Sequence, residues 1–209
     1  MYHIPNDKRA QRSAEALCVG LLDCLEHKSY TDVTVRDLSM ASGVSRATFY
    51  RLFDNISDIF LWKCDSIMTT MLERAQRNEG NDISSALEGF VAAGIENRTL
   101  LETLIRCDRT QILYEVHEKH TQEIKDIFLS GSEVNDLQTE YLSSILAAII
   151  PAVFRVWMRH PEAPDILVSR FRSSLALLNA MFQETLLSRN CSGIDCEFKD
   201  DGRIDLLIR

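Results

Sequence analysis

Arg46, Thr48, Tyr50 and Arg51 crowd into one short stretch that opens at Ser45, directly after Gly43 and Val44. Guanidinium groups pair with phosphates or with guanine edges, and hydroxyls donate to phosphate oxygens. Ser45 can cap a helix here. In such a helix Phe49 and Phe53 fall four apart on one face. Arg46, Ala47, Thr48, Tyr50 and Arg51 then turn outward. A short helix with small, hydroxyl and basic outward groups can enter a DNA major groove. The competing reading is a plain helical hairpin with no ligand.

Other chemistry is less well provided for. His117 and His120 stand three apart near Glu118 and Glu123, a spacing that can turn two imidazoles towards a metal. A solvated polar face among Glu115, Glu118, Lys119 and Gln122 is the stronger reading, so no metal site is expected. Cys191 and Cys196 form a C-x4-C pair without a partner histidine, and Cys107 reads as a small buried hydrophobe. No GxGxxG, P-loop or GxSxG motif occurs. The chain therefore reads as a non-enzyme that needs no cofactor.

The elements that must position Arg46 are legible nearby. Thr34 is a helix N-cap with Asp37 in capping-box register. Val35, Leu38 and Ala41 give that helix an inward stripe, and Gly43 supplies the left-handed turn that ends it. An earlier helix is expected from Asp7 to His27, buried through Ala14, Leu17, Cys18, Leu21, Leu22 and Leu25. It follows a loose arm of residues 1–6. Lys8, Arg9 and Arg12 sit in its first turns, the unfavourable end of a helix dipole unless an anion lies close. The loop 28–33 turns Tyr30 and Val33 inward. Asn55, with Asp58 three residues on, caps a helix running to about Arg77.

The rest is helical by pattern. Asp82 caps a segment to Glu96, which follows a break at Glu79-Gly80-Asn81. Further helices are expected over 99–107, 109–129, 135–160 and 165–189. Ser130-Gly131-Ser132 is a break, Pro151 should kink the helix that contains it, and Asp165 caps the last one. Residues 141–158 are apolar on more than one face. So is the final helix, through Phe171, Leu175, Leu177, Leu178, Met181 and Phe182. Such helices need several neighbours: burial within the subunit is one solution, and pairing both with their copies in a homodimer is the other and the favoured one. The tail from Cys191 alternates and holds Asp201-Gly202, a hairpin signal.

Bulk properties agree. The 209 residues carry a net charge of −8. Residues 1–62 hold seven Lys/Arg and eight Asp/Glu, a net −1, which leaves −7 for the remainder. That excludes an indiscriminate polyanion binder and predicts salt-sensitive, modest non-specific affinity. The six cysteines are scattered, as reduced thiols would be. No uninterrupted run of eighteen apolar residues and no signal-peptide core occur, so a cytoplasmic protein with no membrane partner is expected.

The order Thr34-Val35-x-x-Leu38-x-x-Ala41-x-Gly43-Val44-Ser45-x-x-Thr48-Phe49-Tyr50-x-x-Phe53 closely resembles the DNA-binding segment of TetR-family transcriptional regulators. The resemblance covers roughly residues 8–62. The tryptophan-containing penultimate helix resembles the ligand and dimer domain of a subgroup that includes the dihydroxyacetone kinase regulators.

The resemblance implies an all-α fold, with a three-helix helix-turn-helix domain over 1–54 and a helical ligand-binding and dimerisation domain over 55–190. Residues 55–77 would connect the two, and 191–209 would be a separate tail. It implies a homodimer on a palindromic operator in double-stranded DNA, a repressor released by a small-molecule effector. Ser45, Arg46, Ala47, Thr48 and Tyr50 fall where the family contacts DNA, with Arg36 at the backbone. Effector-lining candidates are Trp62, Phe90, Leu104, Tyr114, Phe154 and Trp157, each of which also suits ordinary core. Two positions depart from the family: Ile56 replaces its usual lysine, and Leu52 its usual His or Tyr. A weak DNA grip, or a co-regulator acting mainly through protein partners, is the alternative these departures raise.

Overall fold

The computed structural model describes residues 1–77, 83–128, 135–188, 194–198 and 204–208. The expected breaks at 79–81 and 130–132, the Asp82 cap, Cys191 and Asp201-Gly202 lie outside them. The chain divides into two compact units. One holds Met1–Ser130 with Asn135–Pro161, and the other Gly131–Val134 with Glu162–Arg209. The fold is all-α, apart from a short C-terminal hairpin.

In the larger unit, α1 (Lys8–His27) starts at Asp7, whose carboxylate accepts the Arg9 and Ala10 N–H groups. Ala10, Ala14, Leu17, Cys18, Gly20, Leu21 and Leu25 are its buried side, while Leu22 is only half-buried. A Cβ on Gly20 would meet the Ser42 backbone nitrogen at 3.0 Å, so glycine permits the close approach of α1 to α2 (Val35–Ser42). The Thr34/Asp37 capping box forms at the start of α2. Gly43 takes φ 69°, the left-handed turn that leads to α3 (Arg46–Leu52). Ala41, expected inward, is exposed; Leu38 alone of that helix is buried. A helix this short, wedged against α1 and α3, has room for one core contact.

The arm of residues 1–6 is tied down rather than loose. Tyr2 bridges Phe53, and the His3 N–H donates to the Leu52 carbonyl over 2.8 Å. The extended backbone after α3 offers those groups, which helix-period reasoning does not register. Tyr30 and Val33 do pack inward, on a 3₁₀ turn spanning Tyr30–Asp32. Asn55 and Asp58 cap α4 (Ser57–Arg77) reciprocally: each side chain accepts the other's N–H.

Then come α5 (Ile83–Glu96), α6 (Arg98–Arg106), α7 (Gln111–Lys119), α8 (Thr121–Phe128) and α9 (Asp136–Arg159). The single helix expected over 109–129 is two. The break falls at His120, whose N–H is shared among the Val116, His117 and Glu118 carbonyls. Its side chain is held at 2.8 Å by Asp65 and at 2.5 Å by Glu123. A long-range partner on α4 therefore fixes the bend.

Asn135 and Gln138 form a second capping box, which starts α9. This helix packs on α5, α6, α7 and α8 and buries Ala147, Ile150, Phe154 and Trp157. By length and composition α9 is apolar enough to cross a membrane. Here it serves as a core helix that also buries polar Thr139 and Ser143.

The smaller unit contains α10 (Pro164–Ser188), with Pro164 at its first position and Asp165 in its first turn rather than at the cap. A proline fits there because that N–H has no helical acceptor. The Ala163 carbonyl accepts from Ile166 and Leu167 instead. Its hairpin pairs β1 (Ile194–Phe198) with β2 (Ile204–Ile208), antiparallel, in the register Cys196 opposite Leu206.

Candidate nucleic-acid interface

The recognition candidate α3 is anchored from behind. Phe49, Leu52 and Phe53 are fully buried, with Phe49 and Phe53 ring centres 6.0 Å apart. Tyr50 packs edge-on against Phe49 at 5.2 Å, yet stays 61% exposed. Its hydroxyl is therefore held on the surface by a buried neighbour. The Ser45 hydroxyl accepts the Thr48 N–H at 3.2 Å and lies 3.0 Å from Thr48 Oγ1. That contact caps α3 and fixes the half-buried Thr48.

Arg46, Ala47 and Arg51 are exposed, as is Arg36 on α2. Among the described residues none of Arg36, Arg46 and Arg51 forms an ion pair, and nor do Lys8, Arg9 and Arg12. The remaining cations of this region behave differently. Lys28 Nζ is 2.7 Å from Asp37, and Lys63 Nζ is 2.7 Å from Glu15. Within residues 1–63 the unpaired cations therefore come from α1, α2 and α3, while Lys28 and Lys63 are neutralised internally. This is how a near-neutral module can still offer an anion a set of open charges.

The Lys28 ammonium and the Thr34 hydroxyl and N–H hold the Asp37 carboxyl down to about 2. The capping box thus stays ionised throughout the neutral range. Leu52 and Ile56, where the family resemblance leads one to expect polar groups, are buried and half-buried. They are part of the packing here.

A second polar cluster lies behind the module. Asp65 on α4 accepts hydrogen bonds from the Tyr2 hydroxyl, from Lys119 at 2.9 Å and from His120 at 2.8 Å. Burial would raise the Asp65 carboxyl, but these donors outweigh it and hold it below the usual range. The expected solvated face at His117 and His120 is overturned, because both imidazoles are buried. Their partners, Asp65 on α4 and the Phe90 ring on α5, are distant in sequence.

The depressed Asp65 carboxyl carries a prediction. Its contribution to stability is present above the unfolded carboxylate range and is lost as pH falls through the folded value. Thermal unfolding between about pH 3 and 7 should show the parent losing stability in acid more steeply than Asp65→Asn. Parallel curves would remove Asp65 from the account.

Of the six effector-lining candidates, Phe90 and Leu104 line one apolar cavity and Tyr114 lines a second. Trp62 packs edge-on against Phe53 at 6.2 Å, and Phe154 against Trp157 at 5.4 Å. The apolar cavity is also walled by Cys64, Met68, Val116 and His117, which periodicity alone did not single out.

Residues 20–61 match the family model "Bacterial regulatory proteins, tetR family". No curated protein matches the chain. Solved structures do. A structure of Lin0861 from Listeria innocua aligns with TM-score 0.70 at 17% identity, covering 84% of this chain and 96% of that one. The TetR family repressor AlkX from Dietzia sp. strain DQ12-45-1b aligns with TM-score 0.52 at 20% identity, covering 83% and 95%. A transcriptional regulator (TerR/AcrR family) from Aquifex aeolicus VF5 gives 0.51 at 14% identity, covering 79% and 99%. The chain thus carries a helix-turn-helix segment like that of the tetR family over residues 20–61, on an all-helical fold shared with these structures.

Proposed function

We propose that the protein is a homodimeric, sequence-specific repressor that grips a palindromic operator in cytoplasmic DNA and is released by a small-molecule effector. The observation that carries the reading is the set of unpaired arginines, Arg36, Arg46 and Arg51, on the exposed side of a capped and core-anchored helix-turn-helix. Residues 1–54 bind DNA, residues 55–190 bind effector and pair with the second subunit, and 55–77 connect them. Thr48 and Tyr50 hydroxyls and Arg36 and Arg51 meet phosphates, Ser45 and Ala47 lie along the groove, and Arg46 reads a base, bidentate to guanine. Likeness to AlkX, described as a repressor, supports the sign of regulation. Release follows if the effector binds better to a dimer whose two α3 helices are wrongly spaced.

Arg46→Ala should weaken operator binding by about 1–3 kcal/mol and relax the preference at one base pair of each half-site. Anisotropy titrations against single-base operator variants check this. An equal loss on every sequence assigns Arg46 to phosphate instead.

A further inference from the structure

Among the described residues three buried side-chain polar atoms have no hydrogen-bond partner: Arg109 Nε, whose guanidinium lies over the Tyr30 ring, and His117 Nε2 and Ser143 Oγ. His117 and Ser143 are only 5% and 4% exposed. His117 Nδ1 lies 2.8 Å from the Leu113 carbonyl oxygen. A carbonyl only accepts, so Nδ1 carries the proton and Nε2 presents a lone pair. Burial pushes the His117 pKa down, which keeps the ring neutral. Phe90, stacked on it at 5.1 Å, fixes its plane. A buried acceptor without a donor is costly, and a ligand that supplies the donor recovers the loss.

His117 is the wall common to two cavities. The apolar one, about 70 Å³, is lined by aliphatic and aromatic side chains with Asn97, Cys64 and His117 as its polar members. Asn97 donates its amide N–H to the Ala93 carbonyl, which leaves an acceptor. Burial pushes the Cys64 thiol up to about 12, so it is neutral. The larger cavity, about 370 Å³, lies between α7, α8 and α9 and is lined by Ser143, Tyr114, Thr121 and the carboxylates of Glu118 and Glu140. Neither lining includes a lysine or arginine.

We propose that this site takes a molecule with an apolar body and a hydrogen-bond-donating head, an alcohol, phenol or amine, whose O–H or N–H is accepted by His117 Nε2, and that it rejects a carboxylate of the same shape. The inference rests on the reading of residues 55–190 as the effector-binding part and names the class of effector. The apolar cavity has room for only a few atoms of the body, so a ring lies mainly in the larger cavity, where the Ser143 hydroxyl offers the head a second contact. A carboxylate would meet a lone pair at Nε2, two like charges at Glu118 and Glu140, and no compensating cation.

The test uses the full chain, labelled with ¹⁵N-histidine, and four probes that share one ring: phenol, benzylamine, toluene and benzoate. Phenol and benzylamine should raise Tm and move the His117 Nε2 resonance, while benzoate does neither. His117→Phe keeps the ring stacked on Phe90 and should lose about tenfold in phenol affinity, the value of one hydrogen bond, with toluene affinity unchanged. Should that variant not fold, Ser143→Ala and the resonance of the parent chain still decide. Benzoate binding as tightly as phenol, a protonated Nε2 in the unliganded chain, or no phenol or benzylamine bound would overturn the proposal. Operator binding measured alongside separates the two readings. Phenol bound at Nε2 without operator release sinks effector control and leaves the ligand class standing. Operator release with His117 unaffected does the reverse.

Discussion

A chain carrying Ile145→Asp and Leu177→Asp should elute as a monomer and bind a two-half-site operator at least about a hundredfold more weakly than the parent. The reason lies on the surfaces of α9 and α10. Leu137, Tyr141 and Ile145 are spaced four apart on α9 and are 60%, 65% and 54% exposed. On α10, Leu177, Leu178 and Met181 are likewise exposed. Apolar stripes of this kind on a folded unit mark interaction surfaces. A two-fold pairing of identical stripes is self-complementary, and it presents two α3 helices to a palindrome. Once one half-site is bound, the second contact is intramolecular, and that gain disappears in a monomer. Light scattering after size exclusion and an operator titration check both halves. Circular dichroism should be unchanged, since neither side chain is buried. A variant that stays dimeric, or a monomer with undiminished affinity, contradicts the assignment.

Phe49→Ala should cost about 3–5 kcal/mol and abolish operator binding. Phe49 is fully buried between Tyr50 and Phe53, and the seven-residue α3 that carries it is too short to hold itself together in water. Truncation removes the anchor that sets the height and tilt of Arg46 and Tyr50. A fall in Tm together with loss of the DNA complex is the expected pair of results. A Tm within a degree or so of the parent would show that the helix-turn-helix is held by something other than this aromatic wedge.

The features legible in the sequence are those set by neighbours a few residues away. Thr34 with Asp37, Ser45 and Asn55 with Asp58 each start a helix through local hydrogen bonds, Gly43 ends one through its left-handed backbone, and all do so in the structure. The buried Phe49 and Phe53 followed from spacing alone. What was not legible depends on distant partners. His120 breaks a helix because Asp65, fifty-five residues earlier, holds its ring. His117 sits beneath Phe90, so its polar sequence neighbours gave the wrong environment for it. The arm came out loose because its partners are the backbone groups of Leu52 and Phe53, which no side-chain pattern encodes. The same limit applies to the cavity. Its wall takes three or four residues from each of α4, α5, α6 and α7, so no single periodic stripe outlines it.

The central claim is that unpaired cations on α1, α2 and α3 read a specific DNA sequence as a two-fold pair. Titrating the protein into labelled DNA from upstream of its own gene, at low and at raised salt, tests it directly. The account predicts a saturable complex of two chains per site that survives excess scrambled DNA and weakens steeply as salt rises. Equal binding to scrambled DNA, or no sequence-specific complex even at low salt, would contradict it.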